Sequence, residues 1–378
     1  MSRVRLGDVV QRIKDPVDKD NTDLIYYVGG EHFTNRAFKV TNKGLIKGST
    51  IGPAFNTKFK SGDVLLMSRN PHLRKAGMVE FDGICSDVSY VIRTKDEKVL
   101  MQRFIPLLFQ TDMFWEFAEK NKKGSTNFFL NWKDFEQFEF ELPEMEKQIK
   151  LVEMLWSMVN TMDSYEEMLI KQDELIKSQF IEMFGKIKER RTLADLCCKI
   201  TDGSHAPSKG IDKSNYLMLS SQNIFDELVL DDVRYLTKED FIKENRRTNI
   251  EEGDLLLTIV GTIGRTHVVK KNEKYVFQRS VCVIKPKADV LNSVFLESYL
   301  KTDEGFNQLD NGGHGTTQRG IYLKNVNNLL IPLANMNDQL LFVSFKTQID
   351  KSKFEIQESL NQLKTMFQKI IKEQLERQ

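Results

Sequence analysis

The sequence predicts an α+β protein written twice: two tandem globular domains of mixed α/β structure, each followed by a long α-helix, with the two helices pairing as a coiled coil. Three observations carry that reading. Phrases recur in order at an offset of 187 to 192 positions, about half of the 378-residue chain. Each copy holds short apolar runs broken by Gly, Asn, Asp and Pro, the pattern of strands and turns. Each copy then ends in a stretch whose apolar residues step by three and four, the spacing of a helix seam.

The repeat can be read directly. Gly62-Asp63-Val64-Leu65-Leu66 recurs as Gly253-Asp254-Leu255-Leu256-Leu257, Val91-Ile92 as Val283-Ile284, and Thr111-Asp112 as Thr302-Asp303. Gly124-Ser125-Thr126 recurs as Gly315-Thr316-Thr317, Leu142-Pro143 as Ile331-Pro332, and Lys177-Ser178-Gln179-Phe180 as Lys364-Thr365-Met366-Phe367. Two copies are too few for a solenoid, so the natural reading is globular domains at 1–143 and 187–332 with helices at 144–186 and 333–378.

In the first copy, residues 4–10 open as a short amphipathic segment, 25–28, 64–67, 88–92 and 138–140 read as strands, and 104–117 reads as helix. In the second, 193–197 open, 216–219, 255–260, 275–277, 280–284 and 329–331 read as strands, and 294–300 reads as helix. The first seam runs through Ile149, Val152, Trp156, Val159, Met162, Leu169, Ile176, Phe180 and Met183. The second runs through Leu340, Val343, Ile349, Ile356, Leu360, Leu363, Phe367 and Ile370. Pro143 and Pro332 precede the helices and Gly185 ends the first. About 36 residues give roughly 54 Å of helix. So thin a stripe needs a partner, and the other copy's helix carries a matching one.

Composition narrows the class. Hydrophobic residues make up 40% and charged residues 29%, the balance of a globular protein. No apolar run approaches 18 residues, and no apolar stretch follows Met1-Ser2-Arg3-Val4-Arg5, so neither a membrane span nor a signal peptide is expected, and the expected compartment is the cytoplasm. Four scattered cysteines (Cys85, Cys197, Cys198, Cys282) do not make a disulfide scaffold or a zinc site. Net charge is +1, and the four segments carry +3, −3, 0 and +1 in order. A nucleic-acid surface would therefore be a local patch, with part of the binding charge supplied by a partner.

Catalytic signatures are mostly missing. There is no Gly-x-x-x-x-Gly-Lys loop, no Gly-x-Gly-x-x-Gly, no Pro-Pro pair of the amino-methyltransferase signature and no His-Glu-x-x-His. Asp82 with Asp96-Glu97-Lys98 fits the loose acidic spacing of metal-dependent nucleases, yet the second copy has Lys285-Pro286-Lys287-Ala288-Asp289 there, so a charged turn is the plainer reading.

What remains are donor-rich loops. Arg69, Asn70, His72, Arg74 and Lys75 follow a strand, and Thr262 and Arg265 occupy the corresponding loop of the second copy. Lys122, Lys123, Ser125 and Thr126 form another such loop, matched by His314, Thr316, Thr317 and Gln318. Ser204, His205, Gln222, Asn223, Gln278 and Arg279 are further candidates, with turn and strand-end capping as the alternative for the first four. Arg, Asn and Gln can read base edges bidentately, and Lys, Ser and Thr can hold phosphate. The aromatics Phe128, Phe129, Trp132, Phe135 and Phe138 could stack bases but flank strands, which favours core packing.

With these residues in hand, the chain resembles the specificity subunits of type I restriction–modification systems. Asp202-Gly203-Ser204-His205-Ala206-Pro207 is similar to that family's Asp-Gly-Thr-His-x-x-Pro, Ser61-Gly62-Asp63-Val64-Leu65 and Glu252-Gly253-Asp254-Leu255-Leu256 to its Gly-Asp-hydrophobic strand, and Leu142-Pro143 and Ile331-Pro332 to its entry into the spacer helix. The first copy departs at the Asp-Gly-Ser-His phrase, where it has Lys14-Asp15-Pro16-Val17. The resemblance implies two target-recognition domains reading a bipartite double-stranded DNA target. It implies helices packed antiparallel as a spacer, two methyltransferase subunits as partners, and restriction subunits joining to complete the nuclease. It implies no active site and no cofactor on this chain, with S-adenosylmethionine, ATP and Mg on the partners. The rival readings are a DNA methyltransferase or nuclease with catalytic residues of unfamiliar pattern, and a coiled-coil scaffold that binds protein.

Overall fold

The computed structural model describes residues 2–271, 273, 275–314 and 320–376. The chain divides into two compact units, one formed by Met1–Glu167 with Gln357–Gln378 and the other by Met168–Ile356.

The two units are built to one plan. In each, an opening strand pairs antiparallel with the last strand before the long helix: Ser2–Arg5 with Glu139–Leu142, and Arg190–Thr192 with Leu330–Pro332. In each, a four-stranded antiparallel sheet follows. Its order is Val10–Ile13, Ser89–Thr94, Val64–Met67, Ala76–Met78 in the first unit and Cys197–Asp202, Val281–Pro286, Leu255–Thr258, Thr266–Val268 in the second. A second, mixed sheet, four-stranded in the first unit and three-stranded in the second, contains one parallel pair in each, Tyr26–Val28 with Gly83–Ser86 and Tyr216–Leu219 with Tyr275–Phe277. The central strands are buried on both faces, with Val64, Leu65, Leu255, Leu256 and Leu257 fully inaccessible, which explains why they read as unbroken apolar runs.

The repeated Gly-Asp phrase has a mechanical role. Gly62 and Gly253 lie at φ +90° and +88°, a region that favours glycine. The following carboxylates are buried and close the turn: Asp63 accepts from the Lys60 N–H at 2.8 Å and Asp254 from the Glu251 N–H at 2.8 Å. A cation from the neighbouring strand balances each one, Arg93 in the first unit and Lys285 in the second.

The long helices are Met145–Phe184 and Met336–Leu375, 40 residues each and about 60 Å long. They pack together. In the second unit Gln172 meets Ser352, Asp173 meets Lys353, and Phe180 meets Phe342, so the two run antiparallel. In the first unit Lys364 pairs with Glu166 at 2.7 Å, and Phe367 packs in the core with Trp156. Ile149 and Leu340 do not lie in a buried seam; they are 39% and 49% exposed. At its start the first helix instead buries Gln148, Leu151, Val152, Leu155, Trp156 and Val159, an arc of period 3.6 that faces the globular part rather than a two-position seam.

Each helix is clamped by a buried glutamine. Gln148 accepts from the Met101 N–H and donates to the carbonyls of Val99 and Pro143, at 3.1, 2.9 and 2.8 Å. Gln339 repeats this with Asn292, Val290 and Ala334, all at 2.9 Å. The helix expected at 104–117 is broken in two, because the Thr111 hydroxyl accepts from the Phe114 N–H and starts the helix Asp112–Lys120 afresh. Among the described residues no helix is long and apolar enough to cross a membrane.

Candidate nucleic-acid interface

In the first unit two of the donor-rich loops form one surface. The loop after Val64–Met67 carries the short turn Pro71–Leu73 between Asn70 and Arg74, both in the left-handed region at φ 53° and 49°. Residues 123–129 form a hairpin tip held by reciprocal Lys123 and Phe129 backbone bonds, with Gly124 at φ +95°. That hairpin lies along the first loop: the Asn70 N–H bonds to the Phe128 carbonyl at 2.8 Å and the Leu130 N–H to the Ser68 carbonyl at 2.9 Å.

The side chains divide into two groups. Arg69, His72, Lys123, Ser125 and Thr126 are exposed and Asn70 is half-buried. Apart from Lys123, which stands 3.9 Å from Asp134, these make no side-chain hydrogen bond or ion pair among the described residues, so their donors face solvent. Arg74, Lys75 and Lys122 are held inward. Arg74 pairs with Asp112 at 2.7 Å, and Arg36 joins the same carboxylate. Lys75 donates to the Gly30 carbonyl at 2.7 Å. Lys122 pairs with Glu119 at 2.8 Å and lies over the Phe128 ring. Of the aromatics, Phe135 and Phe138 are buried, Trp132 stacks on Phe135 at 4.7 Å, and Phe129 remains 37% exposed beside the hairpin.

The second unit gathers more loops. Ser204 and Gln278 form a bridge, the Arg279 N–H bonds to the Ser204 carbonyl at 3.0 Å, and the Gln278 N–H bonds to the Leu219 carbonyl at 2.9 Å. The Ser221 N–H bonds to the Ser280 hydroxyl at 3.1 Å, and Val260 bridges Gly320. The loops at 203–205, 220–223, 259–265 and 278–280 thus share one edge with the strand that ends at Ile321. Thr316, Thr317 and Gln318 lie outside the described residues, as does the side chain of His314.

The Asp-Gly-Ser-His phrase is explained by packing. A Cβ on Gly203 would sit 2.1 Å from the Phe277 carbonyl oxygen, so only glycine fits. Buried Asp202 holds His205 Nε2 at 2.6 Å and pairs with Arg247. Burial pushes the Glu244 carboxyl up, but hydrogen bonds from Ser204 and Ser208 outweigh it and hold Glu244 below its ordinary range. Asn223 caps its own loop: Oδ1 accepts from the Ser220 N–H and Nδ2 donates to the carbonyls of Val229 and Asp231, each at 2.9 Å. Gln222 and Arg279 are exposed, Gln278 is half-buried, and none of the three has a side-chain partner among the described residues. Thr262 is exposed, and its carbonyl accepts from the Thr258 hydroxyl. Arg265 lies 4.1 Å over the Phe225 ring, a platform that residue pattern alone does not single out.

No catalytic grouping emerges from the residues that suggested one. Asp82 accepts from the Ser61 N–H and ties two loops together, and Asp96 accepts from the Lys98 N–H and closes its own turn. Burial pushes the thiols of Cys85 and Cys197 up to about 12 and raises Cys282 as well, which suits small core residues rather than nucleophiles.

Comparison with known proteins agrees with this architecture. Over 113 residues the chain is 26% identical to the specificity subunit of the type I restriction enzyme EcoBI of Escherichia coli, covering 30% of this chain and 24% of that subunit. Over 162 residues it is 23% identical to the EcoDI specificity subunit of Escherichia coli, covering 42% of this chain and 35% of that one. The matched region thus spans only about a quarter to a third of these curated relatives. The type I restriction-modification S subunit from M. genitalium superposes with a TM-score of 0.61 at 12% identity, over 98% of this chain and 95% of that one. A chain solved in work on complex assembly and conformational transition of the type I R-M system gives 0.55 at 18% identity, over 98% and 96%. Residues 1–172 and 187–365 both match the family model for the type I restriction modification DNA specificity domain, and the chain therefore belongs to that family.

Proposed function

We propose that this chain is the DNA sequence-specificity subunit of a type I restriction–modification complex, reading a bipartite, asymmetric target in double-stranded DNA. The observation that carries this reading is the convergence, within each unit, of donor-rich loops that are remote in sequence and carry different side chains. Arg69 and His72 are exposed and Asn70 half-buried in the first unit, and Gln222 and Arg279 are exposed and Arg265 and Gln278 half-buried in the second. Different donors match different base-edge patterns in the major groove, so the half-sites should differ.

In this reading the chain has no catalytic role. Two methyltransferase subunits, and restriction subunits where the system has them, dock on it and bring S-adenosylmethionine, ATP and Mg. The cytoplasm is the compartment that this role implies. Net charge of +1 supports a shared DNA interface, because phosphate contacts set affinity and its salt slope. Gel shift of the chain alone against the chain with a methyltransferase partner tests this. Tight, specific binding only with the partner is expected, and equal nanomolar binding at physiological salt by the chain alone contradicts it. Turnover of S-adenosylmethionine by the purified chain would favour an enzyme instead.

A further inference from the structure

The repeat places two arginines in corresponding loops, and their surroundings differ. Arg74 is neutralised by Asp112, which it shares with Arg36. Arg265 has no carboxylate partner among the described residues and lies over the face of Phe225, 4.1 Å from the ring centroid. Its backbone is fixed on both sides to Thr258, with the Thr258 N–H on the Arg265 carbonyl and the Arg265 N–H on the Thr258 hydroxyl, both at 2.9 Å.

The chain that carries the ring is anchored on either side of it. Asn223, two residues before Phe225, has both ends of its amide engaged. Asp226, the next residue, pairs with Lys301 at 2.7 Å, while its carbonyl contacts His267 Nδ1 at 3.1 Å. Phe225 itself remains 40% exposed. A guanidinium held by its face on a ring carried by an anchored segment loses rotamer freedom, yet keeps its N–H edge for a planar pair of acceptors. Phosphate contact has no need of such orientation. Bidentate recognition of guanine O6 and N7 does.

We infer that Phe225 is a positioning residue for Arg265, and that this pair reads one guanine of the second half-site. The inference rests on the DNA-reading function proposed above. Arg74, held by Asp112, has no matching role, so the first half-site is read through other side chains.

The test uses the full chain assembled with its methyltransferase subunits, with sequencing of methylated genomic DNA and competition binding against single-base variants of the target. Phe225→Leu keeps the apolar volume and removes the ring face, and Phe225→Tyr keeps the face. Arg265→Lys keeps the charge and removes the fork, and Arg74→Lys is the control. Phe225→Leu and Arg265→Lys should relax the same single G·C pair, with discrimination falling about 5- to 150-fold there and unchanged elsewhere. Phe225→Tyr should restore it, and Arg74→Lys should relax no position. Equal weakening against all sequences, relaxation at two different positions, or no change would overturn the inference while leaving a bipartite wild-type motif intact. A wild type with no bipartite motif would instead remove the DNA-reading function on which the inference stands.

Discussion

Replacing Gln148 by Leu removes the clamp between the first long helix and its globular part. Three hydrogen bonds are lost: one to the fully buried Pro143 carbonyl and two to the half-buried Val99 carbonyl and Met101 N–H. Leaving the first group unpaired costs about 2 kcal/mol, and each of the others about 1. The leucine regains about 1 kcal/mol by burying apolar surface, for a net loss of about 3 kcal/mol. All three tryptophans, Trp115, Trp132 and Trp156, lie in the first unit. Tryptophan fluorescence during urea unfolding therefore reports on the unit that contains Gln148, and far-UV circular dichroism reports on both. Gln148→Leu should move the fluorescence transition by the full amount, and Gln339→Leu should cost a similar amount in dichroism. A loss below about 1 kcal/mol for Gln148→Leu would refute the clamp.

Three further outcomes follow from other sites. Gly203→Ala forces a Cβ to within 2.1 Å of the Phe277 oxygen and should cost about 3 kcal/mol or more, read as a lowered thermal midpoint; wild-type stability would mean that the strand end yields freely. Burial pushes the Asp226 carboxyl up, but Lys301 outweighs it and holds the group below its ordinary 3.8. Because the folded value is the lower one, this stabilisation is present above about pH 4 and is lost as pH falls below it. Asp226→Asn should therefore flatten the decline in urea midpoint between pH 5 and pH 3, and an unchanged slope would contradict the pairing. Exposed Arg69→Ala should relax one base pair of the first half-site by about 1–3 kcal/mol, whereas equal weakening of all DNA sequences with a salt slope lowered by about 1 would make it a phosphate contact.

Much of the architecture was legible because local rules and the global fold agree. The Gly62-Asp63 and Gly253-Asp254 phrases were legible as a repeat that opens an apolar strand, and the structure adds that each glycine takes positive φ while its aspartate closes the turn. The helix Lys238–Thr248 was missed because it is almost wholly polar and buries only Thr248, although Thr237 and Asp240 carried a capping signal. Strands Val10–Ile13 and Cys197–Asp202 were not assigned beyond their first residues, where the amphipathic openings ended, since their pairing is set by partners more than 75 residues away. The interface divides in the same way. Its loops were identifiable by donor density, but the fates of their side chains were not. Arg74 is bound by an aspartate 38 residues away, and Arg265 is supported by a phenylalanine from another loop. Such partners are fixed only by tertiary packing.

The measurement that bears most directly on the account is the methylation motif written by the full chain with its methyltransferase partner, read by sequencing of modified bases. Two different loop surfaces on one chain should give two unlike half-sites. Centred about one helical turn apart, ~34–36 Å, they should leave a gap of roughly 5–8 unread base pairs. A continuous motif, or a palindrome with identical halves, would contradict the claim that the two copies are independent readers.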